Sequence, residues 1–273
     1  MLSDDENRKT AILTVDVEDN FTREELVLLE DWDVYEKQVV ENTESVVALL
    51  KELDAEATFF VLGRMAERHP EVVENIAKAG YEIGSHGYAH ELVGRMAVDE
   101  FDKDIEKSLA CLTRIVKTTI KGYRARSFSI TRATTWAIDI LRKYGFEYDA
   151  SMKDTELQSH TEVGLPEFPI STKTLLGKSV ALSGGIALRL MPLHAYLRLL
   201  KRSASFADCP MIYFHTWEFN KDQPERKVGI LQSLSQASFT FTTPSRIREL
   251  SKHYRFVSVD RYIRERAAAL GSR

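Results

Sequence analysis

Residues 57–90, ATFFVLGRMAERHPEVVENIAKAGYEIGSHGYAH, decide the fold. The run ATFFVL at 57–62 is short and almost wholly apolar, the pattern of a buried strand, and Gly63 closes it. A helical segment begins near Met65. His69-Pro70 then restarts a helix through Lys78, with Pro70 suited to a first helical position and Gly80 to the position after the end. Tyr81 to Ser85 reads as another short strand and leads straight into His86 and His90. Strand, helix, strand in this order predicts parallel pairing in an α/β fold.

The same grammar continues outward on both sides. TAILTVDV at 10–17 is a β-branched run that ends among acids, Asp16, Glu18 and Asp19, as a buried parallel strand with function at its C-terminal end would. From 35 to 53, Val39, Val40, Thr43, Val46, Val47, Leu50 and Leu53 recur at intervals of three and four, predicting an amphipathic helix. Phe101, Ile105, Leu109, Leu112, Ile115 and Val116 predict a further helix over 98–117. A short segment ends at Arg124, residues 134–144 are helical, and FEYD at 146–149 resembles a strand. Residues 151–183 are less regular, with short strands and loops expected, and MIYF at 211–214 is a late strand ending at His215. Beyond 224 the pattern weakens until a helix from about Arg246 to Lys252, and the basic run Arg261–Arg273 reads as a solvated tail. With no fixed-period repeat and no dividing linker, residues 1–273 are expected to form a single domain with a less regular extension from about 220.

Composition narrows the function. The chain has 273 residues, 44% hydrophobic and 29% charged, ordinary for a globular domain. With 37 basic against 41 acidic residues the net charge is -4, which disfavours a nucleic-acid partner and fits a sugar or other neutral substrate. Cys111 and Cys209 are expected to be reduced and structural. No run of 18 apolar residues reads as a transmembrane segment, and the acidic start from Met1 to Asn7 does not resemble a signal peptide. A soluble, cytoplasmic protein is therefore expected, with peripheral membrane contact open through the basic C-terminal run; the sequence carries no sign of its oligomeric state.

In a parallel α/β fold the C-terminal strand ends share one face. Asp16, Glu18 and Asp19, His86 and His90, Arg124, and His215 each follow a different expected strand, so they are expected to converge. Histidines at i and i+4 lie on one side of a helical turn and could both reach one ion. Two imidazoles and a carboxylate suit zinc and similar divalent metals, with a position left for water. A second carboxylate could take the water's proton, Arg124 could keep that carboxylate ionised, and His215 could protonate a leaving group. Together these are the parts for metal-assisted hydrolysis.

Seven ordered stretches carry a resemblance: TVDVED at 14–19, ATFFVLG at 57–63, EIGSHGYAH at 82–90, GYRARSFSIT at 122–131, FEYDASM at 146–152, LPEFPIST at 165–172 and YFHTWEFNKDQP at 213–224. In these the chain resembles the polysaccharide deacetylases of carbohydrate esterase family 4, and more closely the branch associated with bacterial exopolysaccharide operons. The resemblance implies a distorted (β/α) barrel of about seven strands. It also implies removal of N-acetyl groups from an amino-sugar polysaccharide or glycan precursor, with one divalent metal, usually zinc. By resemblance Asp16 is the general base, His215 the general acid, Arg124 the residue that positions the base, and His86 and His90 metal ligands. The third ligand is carried in relatives either directly after the base or two positions on. Alternation along a continuing strand puts Asp16 and Glu18 on one face. A strand that ends at Glu18 frees Asp19 to turn back, and Asp19, which matches the family's aspartate, is the preferred ligand with Glu18 the alternative.

The chain departs from its relatives at Arg126 and Thr216, each where proline is usual, and at Ile186, where a further glycine is common. Arg126 adds a cation beside the pocket and could select an anionic sugar. Trp217 and Phe128 are candidate substrate contacts, Trp217 being equally open to packing at the barrel rim. An amidase for a small cyclic amide or ureide and a catalytically silent carbohydrate-binding protein are the alternatives. LPEFPIST and YFHTWEF argue against the first, and the intact polar set argues against the second.

Overall fold

A computed structural model of the chain describes residues 8–18, 32–155, 164–175, 178–203, 209–220 and 242–271. Its centre is β1 (Lys9–Val17), whose residues from Ala11 to Val17 are all buried. Full burial of each Val, Leu or Ile side chain contributes about 1.5–3 kcal/mol. β1 pairs in parallel with β2 (Thr58–Val61), which continues through β3 (Glu82–Ser85) and β4 (Gly122–Tyr123) to β5 (Tyr148–Asp149). On its other edge β1 is shared. β8 (Met211–His215) pairs along Ile12–Asp16, and β9 (Tyr254–Val257) along Lys9–Ile12. The result is a curled, incomplete parallel barrel of seven strands, as the sequence led one to expect. A separate antiparallel hairpin, β6 (Thr172–Leu175) with β7 (Lys178–Ala181), lies in the stretch expected to hold short strands and loops.

The helices are α1 (Trp32–Glu52), α2 (Gly63–Arg68), α3 (Pro70–Lys78), α4 (Val98–Ile115), α5 (Trp136–Lys143), α6 (Gly185–Leu190), α7 (Leu193–Ser203), α8 (Thr243–Ser251) and α9 (Val259–Gly271). Strand alternation divides the core in two. Leu13, Val15, Val17, Phe59 and Val61 join the helix-covered outer layer, while Ile12, Phe60, Tyr148, Met211 and Tyr213 fill the barrel interior. Among the described residues no helix is long and apolar enough to cross a membrane. Cys111 and Cys209 are buried free thiols.

Two expectations change here. The sequence reading named no element between 184 and 203, where α6 and α7 stand. The C-terminal run read as a solvated tail is the helix α9, joined to the sheet through β9. Its charges pair locally, Arg261 with Glu265 at 2.7 Å and Arg264 with Asp260 at 2.9 Å. β9 is only four residues long and bonds to a strand about 245 positions away, so neither periodicity nor local propensity marks it. The weakly patterned stretch 224–240 lies outside the described residues.

Candidate metal-dependent active site

Asp16 stands near the C-terminal end of β1, in register with Phe60 on one side and His215 on the other. Alternation points it into the barrel with Thr14 and Ile12. Its Oδ1 accepts a 2.8 Å hydrogen bond from Arg124 Nη1, in an ion pair whose partners are 3% and 0% exposed. Arg124, just past β4, is fixed on every side. Nε donates to the Ala150 carbonyl at 3.2 Å, Nη1 also donates to Thr14 Oγ1 at 2.8 Å, and the guanidinium lies 4.3 Å over the Phe60 ring. Removing one partner of such a buried pair leaves an uncompensated charge and costs about 3–5 kcal/mol.

Glu18, His86 and His90 bring one ligand atom each within 4.8 Å of the others, and all three are buried. Glu18 Oε2 is 2.7 Å from His90 Nε2 and 3.8 Å from His86 Nε2. His86 Nδ1 is 2.7 Å from the Arg124 carbonyl, which can only accept. That contact places the proton on Nδ1 and turns the lone pair of Nε2 toward Glu18, the tautomer a ligand needs. Burial by itself would raise the Glu18 carboxyl, but the His90 charge, the close approach of both imidazoles and the charge of His215 outweigh it and hold it well below its usual range. Burial lowers His90, against the pull of Glu18. Two imidazoles and an ionised carboxylate gathered in a buried cluster suit a divalent cation bound at about 2.0–2.2 Å.

The histidine pair converges, though by a different route from the helical turn expected. Residues 86–90 follow β3 as a loop, not a helix. Gly87 has φ +77° and His90 φ +62°. A Cβ at residue 87 would sit 2.9 Å from Asp104 Oδ2. Asp104, on α4, accepts from the Tyr88 amide at 2.8 Å and the Ala89 amide at 2.9 Å, folding the loop back so that the two rings lie 5.1 Å apart. Arg126 braces the same loop by donating Nη1 to the His90 carbonyl at 2.9 Å.

His215 closes the site at the end of β8. Its Nε2 is 3.5 Å from Glu18 Oε1 and 3.9 Å from Asp16 Oδ2, and its Nδ1 is 2.9 Å from Glu218 Oε1. Glu218 is fully buried. It also accepts from the His215 amide at 3.1 Å and from Thr243 Oγ1 at 2.7 Å, with Arg189 Nε 3.8 Å away. Burial alone would lower His215, but the bond to Glu218 and the charges of Glu18, Glu218 and Asp16 outweigh it and raise it. Trp217 is 5% exposed, stacks on His215 at 5.0 Å and donates Nε1 to Glu18 Oε1 at 3.3 Å. Phe128, 8% exposed with φ +55°, packs its ring 4.9 Å from that of Tyr213.

The structure thus gathers Asp16, Glu18, His86, His90, Arg124 and His215 at the strand ends, with Arg126, Phe128 and Trp217 around them. Asp19, the preferred third ligand, lies outside the described residues; its alternative, Glu18, is the carboxylate in the cluster. Thr216, a departure in the sequence, donates Oγ1 to the Glu18 carbonyl at 2.9 Å, a bond proline could not make. Sequence reasoning missed Glu218 and Asp104. The i+3 spacing of His215 and Glu218 was the available signal for the first, and nothing local marks the second. A cavity of about 650 Å³ at the opposite end of the strands is lined by Glu56, Lys121, Asp260 and Arg261, whose charges pair with one another.

A family model described as polysaccharide deacetylase matches residues 3–148, and a second, described only as a domain of unknown function, matches 141–264. The chain is 37% identical over 76 residues to a peptidoglycan-N-acetylglucosamine deacetylase of Bacillus cereus, a match covering 28% of each chain. It is 30% identical over 107 residues to a peptidoglycan deacetylase of Helicobacter pylori, covering 39% of this chain and 36% of that one. These matches span about a third of the relatives' length. Among solved structures, a Mycobacterium smegmatis protein assigned as a polysaccharide deacetylase superposes with a TM-score of 0.65 at 22% identity, covering 97% of this chain and 92% of that one. A carbohydrate esterase family 4 pseudoenzyme of Bacillus anthracis superposes with a TM-score of 0.56 at 14% identity, covering 93% and 65%.

Proposed function

Because the chain belongs to the polysaccharide deacetylase family, we propose that it is a metal-dependent hydrolase that removes N-acetyl groups from an amino-sugar polysaccharide or glycan precursor. The observation that carries the reading is the meeting of two separate sets of groups in one buried place. One is a His–His–carboxylate cluster that could hold a divalent ion, and the other is an Arg-held aspartate facing a Glu-held histidine. A silent binding protein has no need of the second set.

The three ligands would be Glu18, His86 and His90, and zinc fits the donor set best. When bound, the ion polarises the amide carbonyl and acidifies water. Asp16, aligned by Arg124, accepts the proton of the attacking water as general base. Arg124 is not the proton donor, and its work is to hold the Asp16 carboxylate in place through the 2.8 Å bond. His215 has Nδ1 tied to Glu218, which leaves Nε2 to give a proton to the departing amine. Acetate and a free amino sugar result. Trp217 walls the acid and fixes its plane, and Arg126 and Phe128 border the space where the sugar would lie. The stretches LPEFPIST and YFHTWEF favour a glycan over a small cyclic amide as substrate.

Acetate release from N-acetylglucosamine oligomers and from small cyclic amides, with and without chelator, tests this. Release from the oligomers, lost on chelation and restored by metal, is expected. Asp16→Asn should keep metal binding and lose about 10²–10⁴-fold in kcat, the contribution of a general base. Chelator-resistant turnover, or activity on the cyclic amides alone, would overturn it.

A further inference from the structure

Behind Arg124, on the side away from Asp16, two carboxyl groups stand that the proposed chemistry does not use. Asp149 ends β5, and Glu167 pairs with it as a parallel bridge. They are 0% and 7% exposed. Asp149 Oδ1 accepts from the Ala150 amide at 2.9 Å and from the Ser151 hydroxyl, and Glu167 Oε1 accepts from the Met152 amide at 2.9 Å. Among the described residues, no donor reaches the other oxygen of either group, Asp149 Oδ2 or Glu167 Oε2. Residues paired across a parallel bridge send their side chains to the same face, so the two unpartnered oxygens share one buried place. Two carboxylate oxygens are both acceptors, so they can adjoin in a buried place only with a proton between them.

The segment they fasten is the one that grips Arg124. The Ala150 carbonyl accepts from Arg124 Nε at 3.2 Å, and Ser151 Oγ accepts from the Ala125 amide at 2.7 Å. Arg124 in turn holds Asp16 at 2.8 Å. From this geometry we infer that Asp149 and Glu167 are positioning residues that share one proton and, by clamping residues 150–152 against Arg124, keep the Asp16 carboxylate aligned. The effect on turnover rests on the deacetylase reading; the shared proton does not.

The charged or titratable groups that face the pair, among the described residues, are the Arg124 guanidinium and the buried Tyr123 phenol. Burial pushes the Asp149 carboxyl up, and burial with the Asp149 charge pushes Glu167 well above its usual range, against the opposing pull of Arg124. An acid raised in this way holds a proton that the unfolded chain has released. The clamp is therefore complete at acid pH and weakens as pH rises through the folded-state value of the pair.

Replacing one acid by its amide makes the shared proton permanent, because the NH₂ group donates to the remaining carboxylate. Replacing both sets two NH₂ groups face to face. The test is a set of metal-loaded variants, D149N, E167Q, D149N/E167Q, D149A and E167A, followed by thermal unfolding from pH 5 to 9 and by kcat and KM.

Each alanine variant should lower the thermal midpoint and reduce kcat more than about tenfold with KM and metal affinity little changed, the signature of a displaced reacting group. Each single amide should rescue both properties and flatten the alkaline fall in the midpoint. The double amide should be worse than the sum of the two singles. Additive effects in the double variant, or single amides that behave like the alanines, would overturn the shared proton. If the double variant does not fold, the pH profiles of the single amides decide. If every protein including the parent lacks deacetylase activity, the deacetylase reading fails, while the unfolding profiles still settle the proton.

Discussion

At the residue scale, the choice of the third ligand shows what strand geometry controls. β1 runs as far as Val17, and Glu18 continues its alternation, so Asp16 and Glu18 reach the same interior while Val17 packs outward. Glu18 is also anchored by Thr216 through its carbonyl and by Trp217 through its carboxylate. Glu18→Gln is accordingly expected to weaken metal binding by more than the about 10–100-fold that loss of an outer partner costs. Asp19→Asn should leave it nearly unchanged. A metal titration of the two variants decides between them, and the reverse ranking would restore Asp19 as the ligand. The acidic cluster was legible in the sequence; which acid turns inward depends on where β1 stops following the pleat.

At the scale of elements, the loop that carries His86 and His90 depends on the helix packed against it, α4. Residues 86–90 hold two positive-φ positions, and the force that keeps them there is the Asp104 carboxylate on α4, bonded to two loop amides. Burial raises the Asp104 carboxyl, and those amides act against it. Asp104→Ala removes both bonds and should destabilise the fold by about 1.5–3 kcal/mol, the range for hydrogen bonds to a charged group. Metal affinity should also fall, as for a lost outer partner. Chemical denaturation and metal titration of the variant check both. Unchanged metal affinity in a destabilised protein would mean the loop keeps its shape without Asp104. The spacing of His86 and His90 gave the right pair for an incomplete reason, because loop curvature, rather than a helical turn, joins the rings.

For the whole molecule, β1 is the strand through which both ends of the chain meet. β8 brings His215 to it from one part of the sequence, and β9 seals its first half from another. Tyr254, Phe256, Val257 and Val259 are all nearly or fully buried. At about 1.5–3 kcal/mol each, their burial is comparable with the whole net stability of a domain, about 5–15 kcal/mol. Deleting residues 253–273 should therefore abolish cooperative unfolding and expose the edge of β1 along Lys9–Ile12, detected by a lost thermal transition and by aggregation on size-exclusion chromatography. A folded, monodisperse truncation would show that β9 is only an accessory strand.

The sequence by itself determined the parallel α/β order, the residues at the strand ends and the chemistry they can perform. Apolar runs, helix periodicity and the Pro and Gly punctuation are local, and side chains such as Asp16, His86 and His215 announce their chemistry wherever they stand. Only the tertiary structure decided that Glu18 faces the histidines, that Glu218 holds His215, that Asp104 bends the metal loop, and that Asp149 and Glu167 lie against each other. Each of these depends on the direction of a side chain or on contact between segments separated in space before folding. Register and backbone turns fix such directions, and they form only when distant strands pair.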